Sequence, residues 1–155
     1  MQVTECTSGQ KKHVTVKGLE RGDLKKITRR EYFFDWKAAR KGAEMYKLSL
    51  TEDDSILGLV ALVDVPAEYR LEINLLVSSV QNVGKGKRYE GIAGCLISFA
   101  CREALTKYGD LACVSLTPKT ELKQHYINKY GMSPGGKQVF VEGKELLDLI
   151  KKYPS

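Results

Sequence analysis

The chain of 155 residues lacks several features that mark specialised classes of protein. Its apolar runs stop well short of the ~20 residues that cross a bilayer, so we expect no membrane-spanning segment. The opening residues MQVTECTSGQKKH contain no apolar stretch of the signal-peptide kind. No repeat, low-complexity segment or linker rich in Gly and Pro divides the chain. We therefore expect a single cytoplasmic domain over residues 1–155.

The sequence also lacks any cysteine pattern that would bind a metal. The four cysteines form no CxxC pair and show no spacing typical of a zinc site: Cys6, Cys95, Cys101 and Cys113. The last three stand in apolar surroundings, where a thiol behaves as a small core residue. We therefore predict no metal site and no cysteine nucleophile.

Charge and composition are ordinary apart from a positive bias. Apolar residues make up 43% and charged residues 28% of the chain, and the formal net charge is +6. Such a bias suits an anionic ligand, a nucleic acid or an acidic partner about equally. Basic residues cluster at Lys11–Lys12, Lys25–Arg30 and Lys85–Arg88. No basic motif interleaved with aromatic residues supports nucleic-acid binding, so we disfavour it.

The first half of the chain predicts mainly strands. Apolar and polar residues alternate from His13, which predicts a short strand there. Three further strands are expected in AEMYKLSL, SILGLVALVDV and YRLEINLLVSS, and these three should form an antiparallel meander. SILGLVALVDV is apolar almost throughout, which predicts a central strand buried on both faces. In YRLEINLLVSS the alternation predicts one face with Leu71, Ile73, Leu75 and Val77, and another with Glu72, Asn74 and Leu76. Before the meander, Asp35 is expected to cap a short helix.

The second half predicts helices between strands. GIAGCLISFACREALTKYG is expected to form a deeply packed helix, because apolar residues cover nearly its whole circumference. LACVSL follows as a strand, so a parallel pair joined by a right-handed crossover is expected. A second helix should open at Thr117–Pro118, with Thr120 as a competing cap, and end at Gly131. KQVFVEG reads as a strand, and KELLDLIKKY as a closing amphipathic helix.

The stretch VGKGKRYEGIAGCL places four glycines and three basic residues directly before the long apolar helix. An exposed hairpin tip and an anion cradle both fit this composition. A cradle is favoured because the first N–H groups of a helix are unpaired and its dipole attracts negative charge. The patterns GxxxxGK[ST] and GxGxxG are both absent. The spacing that does occur runs from Arg88 to Ala93 and is R-x-x-G-x-A.

This spacing resembles the coenzyme A pyrophosphate loop of the GCN5-related N-acetyltransferases (GNAT), R/Q-x-x-G-x-G/A. HYINKYGM, from His125, is similar to the late YxxxGF segment of that family, with four residues instead of three between Tyr126 and Gly131. The expected elements from Ala43 to Val141 also follow the family's order. The resemblance implies an α+β fold, with a mixed and mainly antiparallel sheet flanked by helices and a central crossover helix after the coenzyme-binding loop. It further implies an N-acetyltransferase that uses acetyl-CoA as co-substrate.

The resemblance also implies roles for particular residues. Seven loop residues would hold the pyrophosphate of acetyl-CoA through their amides: Arg88, Tyr89, Glu90, Gly91, Ile92, Ala93 and Gly94. The strand ending at Val77–Ser79 would bind the pantetheine arm. An amide near Leu76 or Val77 would polarise the thioester carbonyl. Tyr126 would protonate the departing thiolate, although a core aromatic in the stripe with Leu122 is the alternative.

An amine acceptor also needs a base, and Glu72 is the best candidate in this sequence. A solvated strand carboxylate is an equal alternative for it. The sequence departs from the family at Lys119, where an Asn is often found, and in a short region before the second strand. A non-catalytic acyl-CoA-binding module is therefore the alternative to an enzyme. The acceptor stays open, and an exposed sheet edge would allow a homodimer.

Overall fold

The computed structural model describes residues 1–25, 27, 42–79, 82 and 86–155. Within these residues there are nine strands: β1 (Gln2–Glu5), β2 (Lys11–Gly18), β3 (Glu44–Leu50), β4 (Ile56–Val65), β5 (Arg70–Ser78), β6 (Tyr89–Glu90), β7 (Cys113–Leu116), β8 (Ser133–Gly135) and β9 (Gln138–Glu142). They form one sheet in the spatial order β6-β1-β2-β3-β4-β5-β7-β9-β8. The described residues also form three α-helices: α1 (Ile92–Tyr108), α2 (Lys123–Tyr130) and α3 (Gly143–Lys152).

The predicted fold class is confirmed. Strands β2 to β5 form an antiparallel meander, and β7 adds to β5 as a parallel neighbour. Helix α1 connects β5 to β7 and packs across them, as the strand–helix–strand order predicts. Strand β9 then pairs antiparallel with β7, and α3 returns to pack along α1. The sheet is thus mixed and mainly antiparallel, with a central crossover helix.

Strand β4 is the central strand because its apolar side chains are covered on both faces. Val60 and Leu62 belong to the main core beneath α1. Leu59 packs with Ile27 in a smaller cluster on the opposite face. Leu59 and Val60 are fully buried, and each such side chain stabilises the fold by roughly 1.5–3 kcal/mol through apolar burial. The prediction that this strand is buried on both faces is confirmed.

A β-bulge interrupts β5 at Asn74. On β4 the adjacent residues Ala61 and Leu62 pair with Leu75 and Ile73, respectively. Asn74 is therefore the extra residue on β5, inserted between the two registered pairs. A bulge of this kind bends the strand and increases its local twist.

The bulge exchanges the two faces for the rest of β5. Leu76 packs against the main core, on the same side as Leu71 and Ile73. Leu75 and Val77 pack against the small cluster on the other face. The predicted common face of Leu71, Ile73, Leu75 and Val77 is therefore wrong beyond Ile73, because one inserted residue reverses the direction of every later side chain.

Helix α2 begins later than predicted. Thr117 and Pro118 lie outside any helix, a single 3-10 turn covers Thr120–Leu122, and α2 starts at Lys123. A proline disfavours helical backbone in the residue before it, which keeps Thr117 out of the helix. Gly131 ends α2 with a left-handed φ of 68°, as predicted.

Of the cysteines in the second half, Cys95 and Cys101 are core residues as predicted, whereas Cys113 is only half-buried. Burial raises the pKa of Cys95 to about 11 and that of Cys101 to about 12. Burial also raises the pKa of Cys113. All three thiols therefore stay protonated near neutral pH, where a nucleophilic cysteine would need to be a thiolate.

Some predicted features lie outside the described residues. These are the helix expected after Asp35, and the part of the glycine-rich stretch at positions 83–85. In the ranges that are described, no helix has both the length and the apolarity to cross a bilayer.

Candidate functional site

The parallel strands β5 and β7 pair along only half of β5. Their ladder ends at the pair Ile73–Leu116, whereas β5 stays paired with β4 as far as Ser78. The bulge at Asn74 falls where β7 leaves the ladder. The backbone of the second half of β5 therefore faces an opening on the side where β7 has ended.

Alternation along β5 decides which amides face this opening. The N–H of Ser79 donates to the Leu57 carbonyl of the neighbouring strand (2.9 Å). In an antiparallel pair every second residue points the same way, so the amide of Val77 is also directed at β4. The amides of Leu76 and Ser78 consequently point towards the opening. The amides of Val77 and Ser79 are thus directed at β4, and those of Leu76 and Ser78 are the ones that can reach a ligand at the opening.

Helix α1 begins without a side-chain cap from any described residue. Its N-cap is Gly91, which has a left-handed φ of 97°. The first helical bond runs from the Cys95 N–H to the Gly91 carbonyl (2.9 Å). The amides of Ile92, Ala93 and Gly94 therefore have no partner inside the helix. These amides and the positive end of the helix dipole favour an anion at this point.

The preceding residues of the predicted cradle are tied into the sheet. The N–H of Tyr89 donates to Asn82 Oδ1 (2.8 Å), and Asn82 Nδ2 donates to Ser79 Oγ (2.6 Å). Asn82 is 8% exposed and links the end of β5 to the start of α1. The amide of Tyr89 is therefore already bonded. A single buried Asn in a loop has no sequence pattern, and for this reason Asn82 was not predicted.

Arg88 and Glu90 lie exposed on either side of Tyr89. The guanidinium of Arg88 lies 5.5 Å from the ring centroid of Tyr89. Glu90 pairs with Lys87 at 2.7 Å, and the hydrogen bond and charge of Lys87 hold the pKa of Glu90 below its usual value. This ion pair offsets the negative charge of Glu90 beside the amides that would attract an anion.

Gly94 allows the close approach of the Tyr153 side chain to α1. A Cβ at this position would overlap the ring of Tyr153. The carbonyl of Tyr153 accepts hydrogen bonds from Ser98 Oγ (2.8 Å) and from Arg102 Nη1 (3.2 Å). The residue that follows α3 is thereby held on the first turns of α1. The small size of Gly94 thus serves helix packing, and the part of its amide in the cradle stays a prediction.

Gly94→Ala should destabilise the protein by ~1–3 kcal/mol, the usual cost of overpacking, although Ala is the better helix former. The loss arises because the new methyl group displaces the Tyr153 ring. In a Tyr153→Ala background the same change should cost much less, as urea unfolding of the four variants would show. Gly86→Ala is the matched control, since a Cβ there meets nothing within 4 Å. Equal losses in both backgrounds would contradict this explanation.

Tyr126 lies half-buried on α2 and packs against the main core. Its ring centroid is 5.8 Å from that of Tyr130 and 5.6 Å from that of His125. Burial raises the pKa of the Tyr126 phenol above its ordinary value of 10.0. The phenol therefore carries its proton throughout the neutral range, which is the form that a general acid needs.

Glu72 lies on β5, one residue before the ladder with β7 ends. Its Oε1 accepts a hydrogen bond from Gln138 Nε2 (3.2 Å) and lies 3.6 Å from Arg70 Nη1. Arg70 Nη1 also donates to Ser115 Oγ (2.8 Å). The carboxylate thus belongs to a polar network across β5, β7 and β9, and this network gives Glu72 a structural role in addition to the predicted one.

A mixed sheet whose parallel strands separate beside a crossover helix, with an uncapped glycine turn at the start of that helix, defines the fold of the GCN5-related N-acetyltransferases. Comparison with solved structures shows the same fold. The fold implied by the two sequence motifs is therefore confirmed.

Three solved structures illustrate the likeness. The spermidine/spermine N-acetyltransferase SpeG from Vibrio cholerae superposes with a TM-score of 0.64 at 17% identity, over 87% of this chain and 95% of that chain. A candidate streptothricin acetyltransferase from Bacillus anthracis, in complex with acetyl coenzyme A, gives 0.60 at 12% identity, over 84% and 99%. A GNAT-family acetyltransferase from Bacillus anthracis gives 0.55 at 14%, over 90% and 96%. The sequence itself matches no protein-family model and no curated protein.

Proposed function

We propose that this protein is an N-acetyltransferase that transfers the acetyl group of acetyl-CoA to a primary amine. The observation that carries the proposal is the placing of two sets of backbone donors around one region of the fold. One set is the outward amides of β5 at Leu76 and Ser78, and the other is the uncapped start of α1. The acetyltransferases that share the fold support the same conclusion.

The chain's donors fit the chemistry of acetyl-CoA. The amides of Ile92, Ala93 and Gly94 would hold the pyrophosphate, with the turn at Gly91 leading into them, since the N-terminus of a helix binds anions. The strand from Leu76 through Val77 to Ser79 would align the pantetheine arm, with the amides of Leu76 and Ser78 facing it. Acetyl-CoA supplies an activated thioester carbonyl. Within the wider loop, Arg88 and Glu90 stay proposed neighbours of the phosphates, beside the already bonded amide of Tyr89.

Three groups of the chain would then divide the work of the reaction. The Leu76 N–H donates to the carbonyl oxygen as negative charge develops there. Tyr126 gives its proton to the sulfur when the carbon–sulfur bond breaks, and regains one from water. Glu72 accepts the proton that the attacking amine loses. The amine nitrogen bonds directly to the carbonyl carbon, so no covalent enzyme intermediate is needed.

Calorimetry with acetyl-CoA and with CoA tests the first part of the proposal. We expect saturable binding of both at one site per chain. Acetylation assays over small polyamines, amino acids, amino sugars and protein N-termini then test transfer, with mass spectrometry of the product. The absence of saturable coenzyme binding would overturn the proposed function.

A second candidate is a non-catalytic module that binds acyl-CoA. The partners of Glu72 favour it, because a carboxylate that interacts with Arg70 and Gln138 is less available as a base. Tight binding of acetyl-CoA with only slow hydrolysis, across the whole amine panel, would select this candidate over the enzyme.

A further inference from the structure

A cleft of about 820 Å³ lies beside the start of α1, with Gly91 in its lining. Basic side chains enter its lining from three separate elements. Lys11 comes from β2, Lys129 from α2, and Lys151 and Lys152 from α3. These positions are far apart in the sequence, and the tertiary structure alone brings them together.

Positive charge dominates this basic cleft. Its acidic side chain, Glu90, pairs with Lys87 at 2.7 Å and interacts with Lys129 only at longer range. In the part of the chain that the structure describes, none of the four cleft lysines forms a salt bridge. Ammonium groups gathered in this way repel one another, and a multivalent anion between them would relieve that repulsion.

Two of the four lysines, Lys151 and Lys152, lie at the end of α3, which is held in place against α1. Tyr153 follows Lys152 directly, and its carbonyl accepts hydrogen bonds from Ser98 and Arg102 of α1. Its ring fills the space that a Cβ at Gly94 would occupy. The end of α3 therefore cannot shift relative to α1 without breaking these contacts. The positive charge of the cleft is in this way held next to the anion-binding amides.

We propose that the basic cleft binds the 3′-phosphate at the adenosine end of coenzyme A, an inference that rests on the proposed function. Coenzyme A carries negative charge at its pyrophosphate and, separately, at a phosphomonoester with a charge of roughly −1.5 to −2 near neutral pH. Gly91 belongs both to the amide cradle and to the lining of the cleft. A coenzyme whose pyrophosphate lies on the α1 amides therefore has its ribose phosphate next to the lysines.

The basic cleft should make the protein selective for ligands that carry the 3′-phosphate. Lysine ammonium groups act as mobile point charges, so they recognise a phosphate by charge rather than by shape. The protein should therefore prefer coenzyme A to its 3′-dephospho form, which keeps the pyrophosphate and the pantetheine arm. The preference should weaken as salt concentration rises, since exposed charges are screened.

Calorimetry with CoA and with 3′-dephospho-CoA tests the inference directly. We expect the wild type to bind CoA on the order of tenfold more tightly, as for a charge-assisted phosphate contact. The variant Lys151→Gln/Lys152→Gln should lose most of that preference, with affinity for 3′-dephospho-CoA nearly unchanged. Lys144→Gln is the matched control, because this lysine lies at the other end of α3 and pairs with Asp148 (3.3 Å). Circular dichroism would establish that each variant is folded.

The binding results that would contradict the role of the cleft differ from those that would contradict the proposed function. Equal affinity of the wild type for both ligands would overturn the inference and leave the proposed function standing. Absence of binding of either ligand would overturn the proposed function itself. An equal loss for both ligands in the double lysine variant would also contradict the inference, since the charges would then act on the pyrophosphate. Tight binding of single-stranded or duplex DNA, lost in the same variant, would assign the cleft to nucleic acid instead.

Discussion

The Tyr126→Phe variant should lower kcat by about 10²-fold or more, the usual contribution of a general acid, while Kd for acetyl-CoA stays at its wild-type value. The change removes one hydroxyl and keeps the ring that packs beside Tyr130. A selective effect on turnover is therefore expected. Steady-state kinetics on an acetylated amine, together with calorimetry, would measure the two quantities.

The pH dependence of the turnover rate is a second test of the acid role of Tyr126. Burial raises the pKa of Tyr126 above its ordinary value of 10.0, so the protonated acid persists through the neutral range and beyond. The wild-type rate should therefore show no fall from this group until the solution is more alkaline than an ordinary tyrosine would require. That alkaline limb should be absent from the residual rate of Tyr126→Phe.

Tyr130→Phe is the matched control, because it removes a phenol one turn further along α2. Tyr130 is 5% exposed and lies in the main core, so its hydroxyl has no proposed part in the reaction. We expect its turnover to stay within a few-fold of the wild type. A wild-type rate in Tyr126→Phe would refute the acid role and leave Tyr126 as a core aromatic residue.

Gly91→Val should weaken acetyl-CoA binding by at least about 100-fold, since it would lose several charge-assisted hydrogen bonds at once. A β-branched residue is strongly disfavoured at the observed φ of 97°. The backbone would have to change there, and the amides of Ile92 and Ala93 would no longer converge. Calorimetry with acetyl-CoA would measure the loss.

Substitutions at Gly91 and at Gly94 should be harmful for different reasons. A Cβ at Gly91 meets nothing nearer than Val3 Cα at 4.0 Å, so the defect comes from the backbone conformation and not from overlap. Gly91→Asn should therefore be the milder variant, since Asn tolerates left-handed backbone better than Val does. Gly86→Val provides the control within the same loop, and we expect it to bind normally. Wild-type affinity in a folded Gly91→Val protein would eliminate the amide cradle.

Local patterns of apolar and polar residues were sufficient to predict most of the architecture. The apolar run of β4 and the all-round apolar surface of α1 require burial on both faces or on every side, which leaves few ways to assemble them. The spacing from Arg88 to Ala93 located the turn at Gly91, because a left-handed residue at a helix start is readily supplied by glycine. The register of the second half of β5 could not be predicted, since the bulge at Asn74 changes no residue type around it.

Some features of the candidate site could also be predicted from local sequence, and others could not. The sequence by itself determined the order of the longer strands and helices, the glycine turn before α1 and the position of Tyr126 on a helix, because each depends on neighbours within a few residues. The short strands β1, β6 and β8 were not predicted. The tertiary structure alone decided which β5 amides face the opening, that Gly94 accommodates Tyr153, and that lysines from β2, α2 and α3 share one cleft. These features depend on the pairing register of the strands and on contacts between segments that are distant in the sequence. Such contacts form only in the folded chain, so no local pattern of residues predicts them.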